Sequence, residues 1–83
     1  MTEAEVIKLT HEVFVDSFEI EKSKLLPTAN IFVDLGLDSL DVVDLVVALQ
    51  KKFAVTIRDD ERVRNIRTLG DLVQFILTIQ KEI

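Results

Sequence analysis

Two glycines, one proline and apolar residues recurring at three- and four-residue spacing constrain this chain more than any other feature. Breakers are too few for a β-rich domain, and the spacing places apolar side chains on one face of successive helices, so an all-α fold is expected. The first helix opens at Thr2, whose hydroxyl and Glu5 form a T-x-x-E capping box, and it puts Val6, Leu9 or Thr10, Val13 and Phe14 on one face before ending near Ser17 or Phe18. From Glu19 to Leu37 the pattern breaks around Pro27, Asn30 and Gly36, which predicts a long loop pinned to the core, with room for a short helical turn. A second helix follows Asp38 as N-cap, paired with Asp41 in an acidic capping box. It buries Val42, Leu45, Val46, Leu49 and Phe53, with Lys51 and Lys52 at the negative end of its dipole. Val55-Thr56-Ile57 is β-branched but too short for a strand. A short third helix is expected around Asp60 to Arg64. A fourth opens at the capping box Thr68-Leu69-Gly70-Asp71 and carries Leu72, Phe75, Ile76 and Ile79 at core spacing. The expected architecture is a small four-helix bundle, three main helices and one short, forming a single domain over residues 1–83.

Composition excludes several function classes. With no cysteine, disulfides, thiolate metal sites and a cysteine nucleophile fall together. The longest apolar run, Leu45 to Leu49, is far short of a membrane span, and the acidic start Met1-Thr2-Glu3-Ala4-Glu5 is unlike a basic signal peptide; a cytoplasmic monomer is expected. Charge is uneven. Residues 31–50 hold Asp34, Asp38, Asp41 and Asp44 with no Lys or Arg, whereas residues 51–67 hold Lys51, Lys52, Arg58, Arg62, Arg64 and Arg67 against Asp59, Asp60 and Glu61. The net charge of -5 argues against nucleic acid as partner. His11, the sole histidine, lies in the first helix without the constellation that a Ser39-His11-Asp38 hydrolase would need. Asp59 and Asp60 lack the spacing of a calcium loop, and the five phenylalanines read as core. No catalytic residue and no metal site is assigned.

The informative stretch is Asp34-Leu35-Gly36-Leu37-Asp38-Ser39-Leu40. A serine in the first turn of a helix, just after a glycine-containing loop, sits near free amides and the positive end of the dipole, where a phosphate is favoured. Ser39 and Asp38 could equally be ordinary caps, and side-chain chemistry leaves both readings open.

Extended to Asp41-Val42-Val43-Asp44-Leu45, the stretch resembles the D-L-G-x-D-S-L-D-x-V-[DE]-L attachment motif of the acyl carrier protein family. Phe53, Ile57 and a closing helix follow at the family's distances, so the resemblance covers nearly the whole chain. It implies that a phosphopantetheinyl transferase, using coenzyme A and a divalent metal, joins 4′-phosphopantetheine to Ser39. Gly36 would make the turn, Asp38 cap the helix, and Leu40 lie beside the arm. It further implies that partner enzymes read the second helix, through Leu40, Val43 and Val47 as apolar contacts, Asp41 and Asp44 as negative charge, and Lys51 on the same stripe. Spacing and the family's behaviour together suggest an acyl pocket lined by Leu45, Val46, Leu49, Ile57, Val63, Ile66 and Leu69. The expected function is to hold acyl groups as thioesters and present them to acyl-transferring and acyl-modifying enzymes of fatty acid, polyketide or related lipid biosynthesis, without catalysis of its own.

Two rivals stand beside it: a peptidyl or aminoacyl carrier, against which the aspartate before Ser39 weighs, and an unmodified helical interaction module. The chain departs from the fatty-acid-synthesis pattern at Gln50-Lys51-Lys52, where an acidic cluster is usual, at Arg58, where proline is usual, and in an arginine-rich segment from Asp59 to Arg67 that runs one residue long. These departures point to a dedicated pathway.

Overall fold

The computed structural model describes residues 1–57 and 61–81, with three α-helices in chain order: α1 (Glu3–Phe18), α2 (Ser39–Phe53) and α3 (Leu69–Lys81). Single 3-10 turns occupy Lys22–Lys24 and Glu61–Asn65. The short third helix of the sequence reading is thus a 3-10 turn. Its five residues are too few to repay α-helix nucleation, and it closes with the amide of Ile66 donating to the carbonyl of Val63 at 3.2 Å. Arg58, the Asp59-Asp60 pair and the expected start of that helix lie outside the described residues.

Each α-helix starts where its cap dictates. Thr2 and Glu5 exchange hydrogen bonds at 3.2 and 3.1 Å, and α1 then buries Val6, Thr10, Val13 and Phe14. Of the two candidates on that face, Thr10 is fully buried and Leu9 only partly so. On α2, Leu45, Leu49 and Phe53 are buried, whereas Val42 and Val46 are half-buried at the rim of a hollow. At α3, the amide of Asp71 donates to the Thr68 hydroxyl at 3.1 Å, while one Asp71 carboxylate oxygen accepts the amides of Thr68 and Arg67, also at 3.1 Å. Val55-Thr56-Ile57 forms no regular element, with Val55 and Ile57 buried and Thr56 exposed. The Ile57 amide is held by the Gln50 side chain at 2.8 Å, so the fold itself uses one of the departures from the family pattern.

The long loop before α2 is fastened to the start of α3. Gly70 and Leu69 donate their amides to the carbonyls of Pro27 and Ala29 at 2.9 and 3.0 Å, and Ile31 donates to the carbonyl of Arg67 at 2.9 Å. Gly70 eases this approach, because a Cβ there would lie 3.0 Å from the Pro27 carbonyl oxygen, tighter than an ordinary contact. Leu25, Ala29, Ile31, Leu35 and Leu37 of the loop enter the core shared by the three helices.

The caps predict the acid response. Backbone hydrogen bonds from Thr68 and Arg67 hold the Asp71 carboxyl below its usual range, and hydrogen bonds from Thr2 do the same for Glu5. A carboxyl whose pKa is depressed by folding stabilises the protein above its unfolded pKa, and that contribution disappears as pH falls through the folded value. Melting temperature should therefore decline below about pH 4, and Asp71→Asn should shallow the decline. Parallel acid profiles in thermal melts of parent and variant would show that the cap carries no such linkage.

Candidate functional site at the start of α2

The loop delivers the chain to α2 through a short series of turns. The Asn30 side-chain oxygen accepts the amides of Phe32 and Val33, both at 2.9 Å, and the Asp34 carboxylate accepts the Asn30 amide at 2.7 Å. Leu37 then donates to the Ile31 carbonyl at 3.2 Å. Gly36, between them, has φ of 75°, in the left-handed region. A Cβ at Gly36 would meet nothing within 4 Å, so the requirement for glycine there is conformational.

One carboxylate oxygen of Asp38 accepts the amides of Leu40 and Asp41, both at 2.9 Å, and the Asp41 carboxylate returns to the Asp38 amide at 3.1 Å. Two of the amides that sequence reasoning left open to a phosphate are therefore held by Asp38. The first helical residue, Ser39, is exposed, and among the described residues no side chain or backbone group hydrogen-bonds its hydroxyl. An exposed, unengaged hydroxyl at the positive end of a helix, on backbone fixed from both sides, fits a covalently attached phosphate whose arm must swing clear of the protein.

Around Ser39 lies an apolar surface that folding leaves uncovered. Leu40 is 77% exposed, Val43 61% and Val47 43%, with Asp44 and Lys51 exposed on the same helix and Asp41 partly covered by its capping role. Phe32 and Val33 add exposed apolar surface from the loop. Lys52 belongs elsewhere: its ammonium lies 3.8 Å from the Glu12 carboxylate on α1.

Behind this face is a hollow of about 40 Å³. Leu45, Val46, Leu49, Ile57, Val63 and Ile66 meet there, together with Ile31, Phe32, Val42, Leu72 and Phe75, which sequence reasoning did not place. Leu69 does not line it. Leu69 is turned with Ile7, Leu25 and Val73 to a separate hollow between α1 and α3, because it shares an α3 face with Val73, four residues on, that differs from the face of Leu72 and Phe75. His11 lines this second hollow, and burial, with Lys22 nearby, keeps its imidazole toward the neutral form. Among the described residues, no three histidine or acidic side chains converge as a metal site, and no helix is long and apolar enough to cross a membrane.

The profile of the family described as "Phosphopantetheine attachment site" matches residues 9–76. Acyl carrier protein 2 of Ralstonia nicotianae is 36% identical over 73 residues, 88% of this chain and 89% of that protein. The acyl carrier protein of Lactobacillus acidophilus is 34% identical over 80 residues, 96% and 99% of the two chains. Among solved structures, an acyl carrier protein from Enterococcus faecalis, described for its high thermal stability, aligns with a TM-score of 0.74 and 32% identity over 94% of this chain and 98% of that one.

The turn and cap predict separable stability effects. Asp38→Ala should cost about 1 kcal/mol through the lost cap, and Gly36→Ala about 1–2 kcal/mol through left-handed strain. Gly36→Asn should recover part of the latter, since asparagine tolerates that region. Urea denaturation measures all three; an undiminished midpoint in Gly36→Ala would mean the turn relaxes freely.

Proposed function

Because the chain belongs to the acyl carrier protein family and so carries acyl groups for other enzymes instead of transforming them, we propose that Ser39 is where its 4′-phosphopantetheine is joined. The observation that carries this reading is the exposed, unengaged hydroxyl at the first residue of α2, within the family's motif. The partner that loads it is a phosphopantetheinyl transferase. In that step the Ser39 oxygen forms a bond to the pantetheine phosphorus of coenzyme A, the phosphoanhydride bond breaks, adenosine bisphosphate departs, and the hydroxyl proton passes to the transferase. Asp38 and Gly36 act by holding the backbone so that the oxygen projects outward. Once attached, the group supplies the thiol that holds the acyl chain as a thioester, in a protein with no cysteine of its own.

We take the apolar knobs Leu40, Val43 and Val47 as the docking surface for acyl-handling enzymes, with Asp41 and Asp44 attracting a basic patch. Residues 1–83 act as one cytoplasmic carrier domain. The apolar hollow behind α2 shelters part of the acyl chain: Val42, on its rim, lies one turn beyond Ser39, about 4.5 Å along the helix axis. Each sheltered methylene would contribute about 0.8 kcal/mol. Lys51 gives this face a positive end that enzymes built for a uniformly acidic helix do not match, which supports a dedicated pathway.

Incubation with coenzyme A and a broad-specificity phosphopantetheinyl transferase should add one phosphopantetheine to the parent, by intact mass, and none to Ser39→Ala, which should stay helical. An unmodified parent under those conditions would leave the interaction-module reading standing. Lys51→Glu should keep the parent's stability, since an exposed charge seldom contributes more than a few tenths of a kcal/mol. Turnover by general fatty-acid-synthesis enzymes should rise several-fold at low salt, and the gain should fade once the Debye length shortens to about 8 Å. Equal turnover of parent and variant at low salt would reduce Lys51 to a complement of the helix dipole.

A further inference from the structure

Across the hollow from α2 stands α3, and one of its wall residues borders a second space. Phe75 lines the hollow on its inner side and, on its outer side, a cleft of about 290 Å³ that also includes Ile66, Asp71 and Gln74. Phe75 and Ile66 are the two residues common to both spaces, so they form the partition between them. The phenyl ring is braced from the cleft side, with the Arg62 guanidinium carbon 5.5 Å from the ring centroid, within cation–π range. Leu72, one turn earlier on α3, faces only the hollow.

The space enclosed is small. At about 40 Å³ it takes a short chain against α2, and a longer one must displace a wall. Leu45, Leu49, Ile57 and Leu72 are walls buried in the core, whereas Phe32, Val42, Val46, Val63 and Ile66 are half-buried or exposed at its edges. Phe75 is buried as well, and of the buried wall residues it alone also borders the outer cleft, where Arg62 lies against its ring.

Given that Ser39 delivers an acyl chain to this hollow, as proposed above, we infer that Phe75, braced by Arg62, is the end wall that sets how long an acyl chain the protein shelters. Chains that stop short of the ring are covered along their length. Chains that reach it bend back or leave their last methylenes in solvent, because passage past the ring leads to a cleft lined by Asp71, Gln74 and Arg62. The cargo favoured by this geometry is a short to medium acyl group.

The test loads butanoyl, hexanoyl, octanoyl and decanoyl groups from the corresponding acyl-coenzyme A with a phosphopantetheinyl transferase, verifies each by intact mass, and measures melting temperature. In the parent, melting temperature should climb with chain length and then level off within the series. In Phe75→Leu and Phe75→Met, conservative enough to keep the core filled, the starting value should be lower and the levelling displaced to a longer chain by one methylene or more. Val73→Ala, on the α3 face turned to the other hollow, should lower the starting value and leave the levelling point where the parent has it. Loaded Phe75 variants that level off at the parent's chain length, or a parent that climbs without levelling through decanoyl, would overturn the inference while leaving Ser39 as the attachment point. Failure of the parent to gain any mass would remove the Ser39 reading and this inference with it.

Discussion

The first-turn amides of α3 have no partners within their own helix, and everything about the start of α2 depends on where they find them. Leu69 and Gly70 donate to carbonyls of the long loop at Ala29 and Pro27, and Asp71 donates to Thr68, so all three amides are paired. In return, the loop is held at a fixed distance from the bundle, reinforced by Ile31 donating to Arg67. A loop of this length would otherwise be free to move on the surface. Fastened here, it lets the Asn30 turn, Gly36 and the Asp38 cap follow with little freedom, and Ser39 emerges at a defined place. The presentation of the site thus rests on a helix that begins thirty positions later in the chain.

What could be read from sequence was local. The three capping boxes, Thr2 with Glu5, Asp38 with Asp41 and Thr68 with Asp71, each join residues three apart, and side-chain identity is enough to find them. The core face of α2 was legible at Leu45, Leu49 and Phe53, whereas Val42 and Val46 of the same stripe are half-buried. The docking of loop on helix was not, because bonds between backbone groups leave no mark on residue type; its one trace is Gly70, whose missing side chain admits Pro27. Periodicity showed that α3 has an apolar face but not which neighbour each part meets. Leu69 and Val73 turn to α1 and the loop, whereas Leu72 and Phe75 turn to α2, so Leu69 lines the other hollow from the one expected, and Leu72 and Phe75 are two of the five wall residues that sequence did not place. Lys52 looked like part of a basic helix end until its position opposite Glu12 assigned it to the α1 side.

The resulting molecule separates two tasks that a carrier must perform. Outward from α2, apolar side chains and charges remain uncovered close to an unengaged hydroxyl. Inward, the same helix contributes Val42, Leu45, Val46 and Leu49 to a hollow of about 40 Å³. Both surfaces are turned from one rigid element whose start is fixed by Asp38. On the function proposed above, a chain of 83 residues with no cysteine handles thioesters by contributing position and cover and leaving the reactive sulfur to the attached arm.

Three serines occur in the chain, Ser17, Ser23 and Ser39, and Ser17 also follows an aspartate. Ser17 lies in the last turn of α1 and Ser23 in the 3-10 turn after it; Ser39 alone opens an α-helix. The most direct measurement is proteolysis of the coenzyme A-treated protein followed by fragmentation mass spectrometry of the peptides. The phosphopantetheine mass should reside on Ser39 alone. Its appearance on Ser17 or Ser23, or an unmodified peptide spanning Asp34 to Leu45 in protein that has gained the mass, would contradict the account.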